Sequence, residues 1–148
     1  MKSNTQHRSS QPTLLLATLL TFALTTTFRT RAAETVWLDS LDLTSMHQGW
    51  GAPQVNRSIR EQPLSIGGQK FERGVGTHAI STYRLTLNGG TERFTASVGV
   101  DDAAGGPGSV IFQLIADKKK VFDSGVMKPG QAAKRVEVDL RGVTSLVL

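Results

Sequence analysis

Phe94, Ala96, Val98 and Val100 alternate with Thr95, Ser97 and Gly99, and Val136, Val138 and Leu140 alternate with Glu137 and Asp139. Tyr83, Leu85 and Leu87 alternate in the same way with Arg84 and Thr86. A period of two places successive side chains on opposite faces of a strand, one for a core and one for solvent. Val110 to Ala116 is apolar at nearly every position, which predicts a central strand buried on both faces. Turn signals separate these runs at Gly67-Gly68, Asn88-Gly89-Gly90, Gly105-Gly106-Pro107-Gly108 and Lys128-Pro129-Gly130. Asn88-Gly89 is a dipeptide that favours hairpin turns with positive φ. Many short strands divided by turns predict an all-β chain, a β-sandwich or jelly roll. No helical period persists, and Ser40 to His47 has room for one turn at most.

The N-terminus has a different character. Lys2, His7 and Arg8 precede a short apolar run from Thr13 to Leu24, and no acid occurs before Glu34. A basic head, an apolar run and small residues form the pattern of a secretory signal peptide. Residues 1–32 are therefore read as the leader, with cleavage before Ala33 and residues 33–148 as the mature module. The run is too short and threonine-rich for a membrane span, which needs ~20 apolar residues. Arg29 and Arg31 lie close to the cut and leave an uncleaved anchor as the alternative. The expected location is extracellular or periplasmic, with no membrane span in the mature chain.

This leader explains most of the charge. The chain carries 17 Lys and Arg against 12 Asp and Glu, a net charge of +5. Lys2, Arg8, Arg29 and Arg31 belong to the leader, which leaves 13 basic side chains against the same 12 acids. A nearly balanced module is no footprint for nucleic acid, and no nucleic-acid partner is expected. Lys118-Lys119-Lys120, the remaining basic run, reads as a solvated turn. Cysteine is absent, which excludes thiol nucleophiles and thiolate metal sites, so an exported fold must rest on its core, alone or with the help of a bound metal.

Few residues bear chemistry. His78 follows Gly74, Gly76 and Thr77, small neighbours that leave room for a polar ligand on its imidazole. The alternative is a buried histidine tying a strand end to backbone. Trp50 stands between Gly49 and Gly51, as a stacking surface for the C–H face of a sugar or as a plug at one end of the sandwich. Trp37, within Thr35-Val36-Trp37-Leu38, reads as core. Asp101 and Asp102 end a strand and open a glycine-rich loop, where they cap the turn, accept sugar hydroxyls or offer oxygen to calcium. Adjacent carboxylates on a strand point to opposite sides, which makes a poor glycosidase pair. Gly-x-Ser-x-Gly is absent, and Gly74-x-Gly76 lacks the third glycine and following helix of a nucleotide site.

Taken in order, Trp37-Leu38-Asp39-Ser40-Leu41, Gly49-Trp50-Gly51, Pro63 to Gly68, Phe71 to Ala79, Phe94 to Asp101 and Gly108 to Phe112 resemble the NPCBM domain, also classed as carbohydrate-binding module family 51. That family accompanies family 98 glycoside hydrolases and α-galactosidases. The resemblance covers about Val36 to Leu148. It implies a galactose-binding-like β-sandwich that grips terminal sugars, often galactose-containing glycans, at loops on one end. It implies no catalytic residue and no obligatory cofactor, with calcium open. Trp50, His78 and Asp101 match its motif positions and are the implied sugar-binding residues; Asp101 and Asp102 are the calcium candidates. A catalytic glycoside hydrolase domain is an implied partner. Family members continue beyond a Leu-x-Leu strand, whereas this chain stops at Ser145-Leu146-Val147-Leu148. It is therefore expected to be truncated at its C-terminus, with an edge strand missing or exposed, the alternative being a neighbouring chain that completes the sheet. The alternatives are the N-terminal remnant of a glycoside hydrolase and a cell-envelope adhesion module that contacts protein.

Overall fold

Twelve strands, joined by turns and three single-turn 3-10 helices, make up the fold of a computed structural model that describes residues 33–148. The expected leader, residues 1–32, lies outside the described residues. In chain order the strands are β1 (His47–Gln48), β2 (Gln54–Val55), β3 (Leu64–Ile66), β4 (Gln69–Phe71), β5 (Val75–Gly76) and β6 (Ser81–Thr82), then β7 (Arg84–Thr86), β8 (Arg93–Val98), β9 (Val110–Ala116), β10 (Lys119–Met127), β11 (Lys134–Asp139) and β12 (Ser145–Val147). The 3-10 turns are Leu38–Ser40, Leu43–Ser45 and Asp102–Ala104. Two of them fall within or beside the stretch expected to hold one turn.

Two sheets enclose the core. One has four antiparallel strands in the order β10-β9-β12-β7, and the other is the antiparallel pair β11-β8. Val136 lies opposite Ala96 and Val138 opposite Phe94, so the alternation read from each strand becomes a set of apolar cross-strand pairs. Their inner face meets Leu114, Ala116 and Leu146 of the larger sheet, with Leu140 closing one end. Leu85, Leu87, Phe122, Val143 and Leu148 surround that cluster. A β-sandwich results, as the period-two runs require.

Several local expectations change. β9 lies between β10 and β12, yet its apolar run is buried on one face only: Leu114 and Ala116 are buried while Ile111 is 51% exposed. The basic run is a turn only at its start. Asp117 and Lys118 take positive φ, and Lys119 and Lys120 already belong to β10. Asn88-Gly89 does turn the chain, with Gly89 at φ 75° and the Asn88 side chain accepting from Gly90 N–H. It joins strands of different sheets instead of a hairpin, because β7 pairs with β12 and β8 with β11. β12, expected at or beside a missing edge, is interior: β7 bonds one side and β9 the other. The edges of the four-stranded sheet are β7 and β10.

Trp37 is the clearest departure from the core expectation. It is 50% exposed, and the Arg73 guanidinium lies 4.5 Å from its ring centroid. Arg73 Nε and Nη2 also donate to Asp39 Oδ2, at 3.1 and 3.0 Å. The ring lies at the surface because a cation–π contact, not burial, covers one of its faces.

Candidate functional site

Two loops come together through four very short strands. β1 pairs with β6, and β2 pairs with β5. The loop from β1 to β2 carries Trp50, and the loop from β5 to β6 carries His78. Because both ends of each loop are tied to the other, the two are held side by side. Trp50 and His78 meet with ring centroids 5.8 Å apart at 64° between planes, an edge-on arrangement.

Both rings face water. Trp50 is 62% exposed and His78 is exposed, so neither the end plug nor the buried histidine is present. Among the described residues, no internal hydrogen bond engages the His78 ring nitrogens. Its imidazole keeps a donor and an acceptor for an outside group. Ile80, two residues on, is 85% exposed and adds apolar surface to the same loop.

Close backbone packing explains two of the glycines. A β-carbon at Gly49 would stand 3.1 Å from the Ala79 carbonyl oxygen and 3.4 Å from the Ile80 nitrogen, so glycine lets the Trp50 loop press against the His78 loop. At Gly76 a β-carbon would come within 2.1 Å of the Arg57 carbonyl oxygen. That glycine makes room for the neighbouring chain segment and not, as expected, for a ligand.

A polar link joins the loops, and the sequence gives no motif for it. Gln48 Nε2 donates to the Trp50 carbonyl at 2.6 Å, and Thr77 Oγ1 donates to Gln48 Oε1 at 2.8 Å. A single glutamine between a histidine and a glycine carries no signal until the loops are seen together.

Asp101 and Asp102 belong to a different loop cluster. Asp101 caps the 3-10 turn through Ala103 N–H at 2.9 Å and also accepts from Ser65 N–H at 3.0 Å. Asp102 accepts from Ser65 Oγ at 2.5 Å and from the N–H groups of Gly67 and Gly68, both at 2.9 Å. The two carboxylates thus clamp the turn between β3 and β4. The bonds from Ser65, Gly68 and Gly67 hold the Asp102 carboxyl below the usual carboxylate range, against the opposing effect of burial. Donors aimed at all four oxygens oppose a cation at the same lone pairs, so this geometry fits a turn clamp better than a calcium site. None of these bonds reaches Trp50 or His78.

The NPCBM/NEW2 domain model matches residues 34–148. The chain belongs to the NPCBM/NEW2 family. The homologous domains are CBM51 carbohydrate-binding modules, which are non-catalytic and sit in larger enzymes. Alpha-1,3-galactosidase B of Akkermansia muciniphila is 36% identical over 110 residues, 72% of this chain and 14% of that protein. The chain therefore spans a small part of that relative's length. A solved CBM51 module from Clostridium perfringens GH95, in complex with methyl-galactose, aligns with TM-score 0.69 at 32% identity, covering 76% of this chain and 83% of that one. A Clostridium perfringens ZmpB structure, an M60 catalytic domain with two CBM51 domains, aligns with TM-score 0.68 at 30% identity, covering 76% and 12% of the two chains. The NPCBM/NEW2 module described here thus has the galactose-binding-like β-sandwich of its relatives. No helix among the described residues is long and apolar enough to cross a membrane.

Proposed function

We propose that this module is exported and binds terminal galactose-type sugars at the paired Trp50 and His78 loops. The observation that carries the reading is the exposed Trp50 ring set edge-on to an imidazole whose nitrogens are unengaged. An indole face covers the apolar C–H side of a pyranose, and an imidazole at its edge exchanges hydrogen bonds with the hydroxyls that project sideways. Ile80 extends the apolar surface beyond one ring. Asp101, with both carboxylate oxygens already accepting from Ala103 and Ser65 N–H groups, supports the β3–β4 hairpin and is left out of the proposed sugar contacts. The methyl-galactose complex of the relative from GH95 supports galactose as the first sugar to test.

A site of two loops buries little area, so affinity for one sugar is expected on the order of 10 μM to 1 mM. Attachment to a glycoside hydrolase domain would make the module a targeting device, and the small share of the galactosidase that it matches supports that arrangement. Several modules on one glycan surface would bind far more tightly than one. A glycan array with the folded protein tests the proposal: retention on terminal galactosides is expected. Absence of binding to every glycan, together with capture of a protein ligand, would favour the adhesion reading instead.

A further inference from the structure

We propose that Gln48 is a positioning residue for sugar binding, presetting the Trp50 and His78 loops before the ligand arrives; this rests on the carbohydrate-binding reading above. Gln48 is fixed through its backbone, as β1 pairs it with Ser81 of β6. From there its side-chain amide reaches both loops, donating to the Trp50 carbonyl and accepting from the Thr77 hydroxyl. Thr77 immediately precedes His78, so one amide group holds the residue that carries the stacking ring and the residue next to the imidazole. Among the described residues, no other backbone hydrogen bond outside the flanking ladders joins residues 49–53 to residues 77–80. The remaining contacts are the edge-on meeting of the Trp50 and His78 rings and the close packing of Gly49 on the Ala79–Ile80 backbone, neither of which is a hydrogen bond.

The chemistry of the position is selective. The glutamine amide offers a donor and an acceptor from one planar group at the length this link needs, and asparagine is a methylene shorter. Glutamate keeps the acceptor for Thr77 but presents an oxygen to the Trp50 carbonyl. Methionine keeps the length and loses both bonds. Without the link, the sugar must order two loops as it binds, and that cost appears as lost affinity.

The test uses a protein in which Trp50 is the sole tryptophan, made by Trp37→Phe, since the chain has two. Affinity for a methyl galactoside and the fluorescence anisotropy of Trp50 without sugar are measured in this background and with Gln48→Met, Gln48→Glu, Thr77→Val and the Met/Val double change. Gln48→Met and Gln48→Glu are each expected to weaken binding about 5- to 10-fold and Thr77→Val about 3-fold. The double variant should be no more than about 2-fold weaker than Gln48→Met, because both changes break one link. Anisotropy should fall in Gln48→Met while the melting temperature stays close to the parent. Unchanged affinity in Gln48→Met, or losses that multiply in the double variant, would overturn the proposal while leaving sugar binding intact. Should the Met variant fail to fold, Thr77→Val and its anisotropy carry the test, and parental values there overturn it equally. A parent that binds no galactoside removes the carbohydrate reading and this proposal with it.

Discussion

Trp50 keeps 62% of its surface in water and contributes little to the core, which separates its proposed role in binding from any role in folding. Trp50→Ala is expected to weaken galactoside binding at least about 10-fold, with a melting temperature near that of the parent, by titration and thermal unfolding of the same samples. His78→Ala removes hydrogen bonds but no stacking surface, and a loss of about 3- to 10-fold is expected. Both residues were legible in the sequence because glycines flank the tryptophan and precede the histidine. Their meeting was not legible, since it depends on paired strands of two residues, too short to show a period. Trp37 misled for the opposite reason. Val36-Trp37-Leu38 reads as a strand with an inward ring, yet Arg73 stacks on that ring at the surface.

At the scale of elements, the hairpin β3–β4 depends on a clamp from far along the chain. Asp102 reaches Ser65, Gly67 and Gly68 across more than thirty residues, and replacing it removes three hydrogen bonds at once. Asp102→Ala is expected to lower the melting temperature by several degrees, and a chelator is expected to leave the parent's melting curve unchanged. Melting lowered by chelator and restored by calcium would reinstate a cation at this turn. The sequence showed two acids at a strand end and a turn at Gly67-Gly68, but nothing linked them. β12 carries a second element-scale prediction. Leu146 is 1% exposed in a strand bonded on both sides, so Leu146→Ala should cost about 2–5 kcal/mol in denaturant unfolding. The Leu-x-Leu ending was visible as a strand, while its interior place was hidden because strand order in an antiparallel sandwich is set by long connections.

For the whole molecule, period-two alternation was enough to place the core. Phe94, Ala96, Val98, Val136, Val138 and Leu140 all line it as the pattern requires. Stability should also carry the mark of the carboxylates. Asp102, Asp117 and Asp123 lie below the usual carboxylate value through hydrogen bonds from Ser65, Thr144 and Lys120 respectively, and bonds from Arg141 lower Asp139 to about 2. For Asp39, burial pushes upward, and the bonds and charge of Arg73 outweigh it. A carboxylate with a depressed folded value releases its proton more readily folded than unfolded, where about 3.9 applies. The stability so gained is complete above about pH 5 and is lost as pH falls through 4 towards 2. Melting temperatures between pH 7 and 2.5 should therefore show a plateau followed by an acid decline, and a flat profile below pH 4 would contradict the assignment.

The exposed Trp50 beside the unengaged His78 imidazole is the proposed sugar site of this sandwich. Calorimetric titration of a terminal galactoside into the folded parent and into Trp50→Ala tests that proposal. The predicted result is saturable binding by the parent, with Kd on the order of 10 μM to 1 mM, and its loss in the variant. Equal binding by the two proteins, or no binding by a parent shown to be folded, would contradict it.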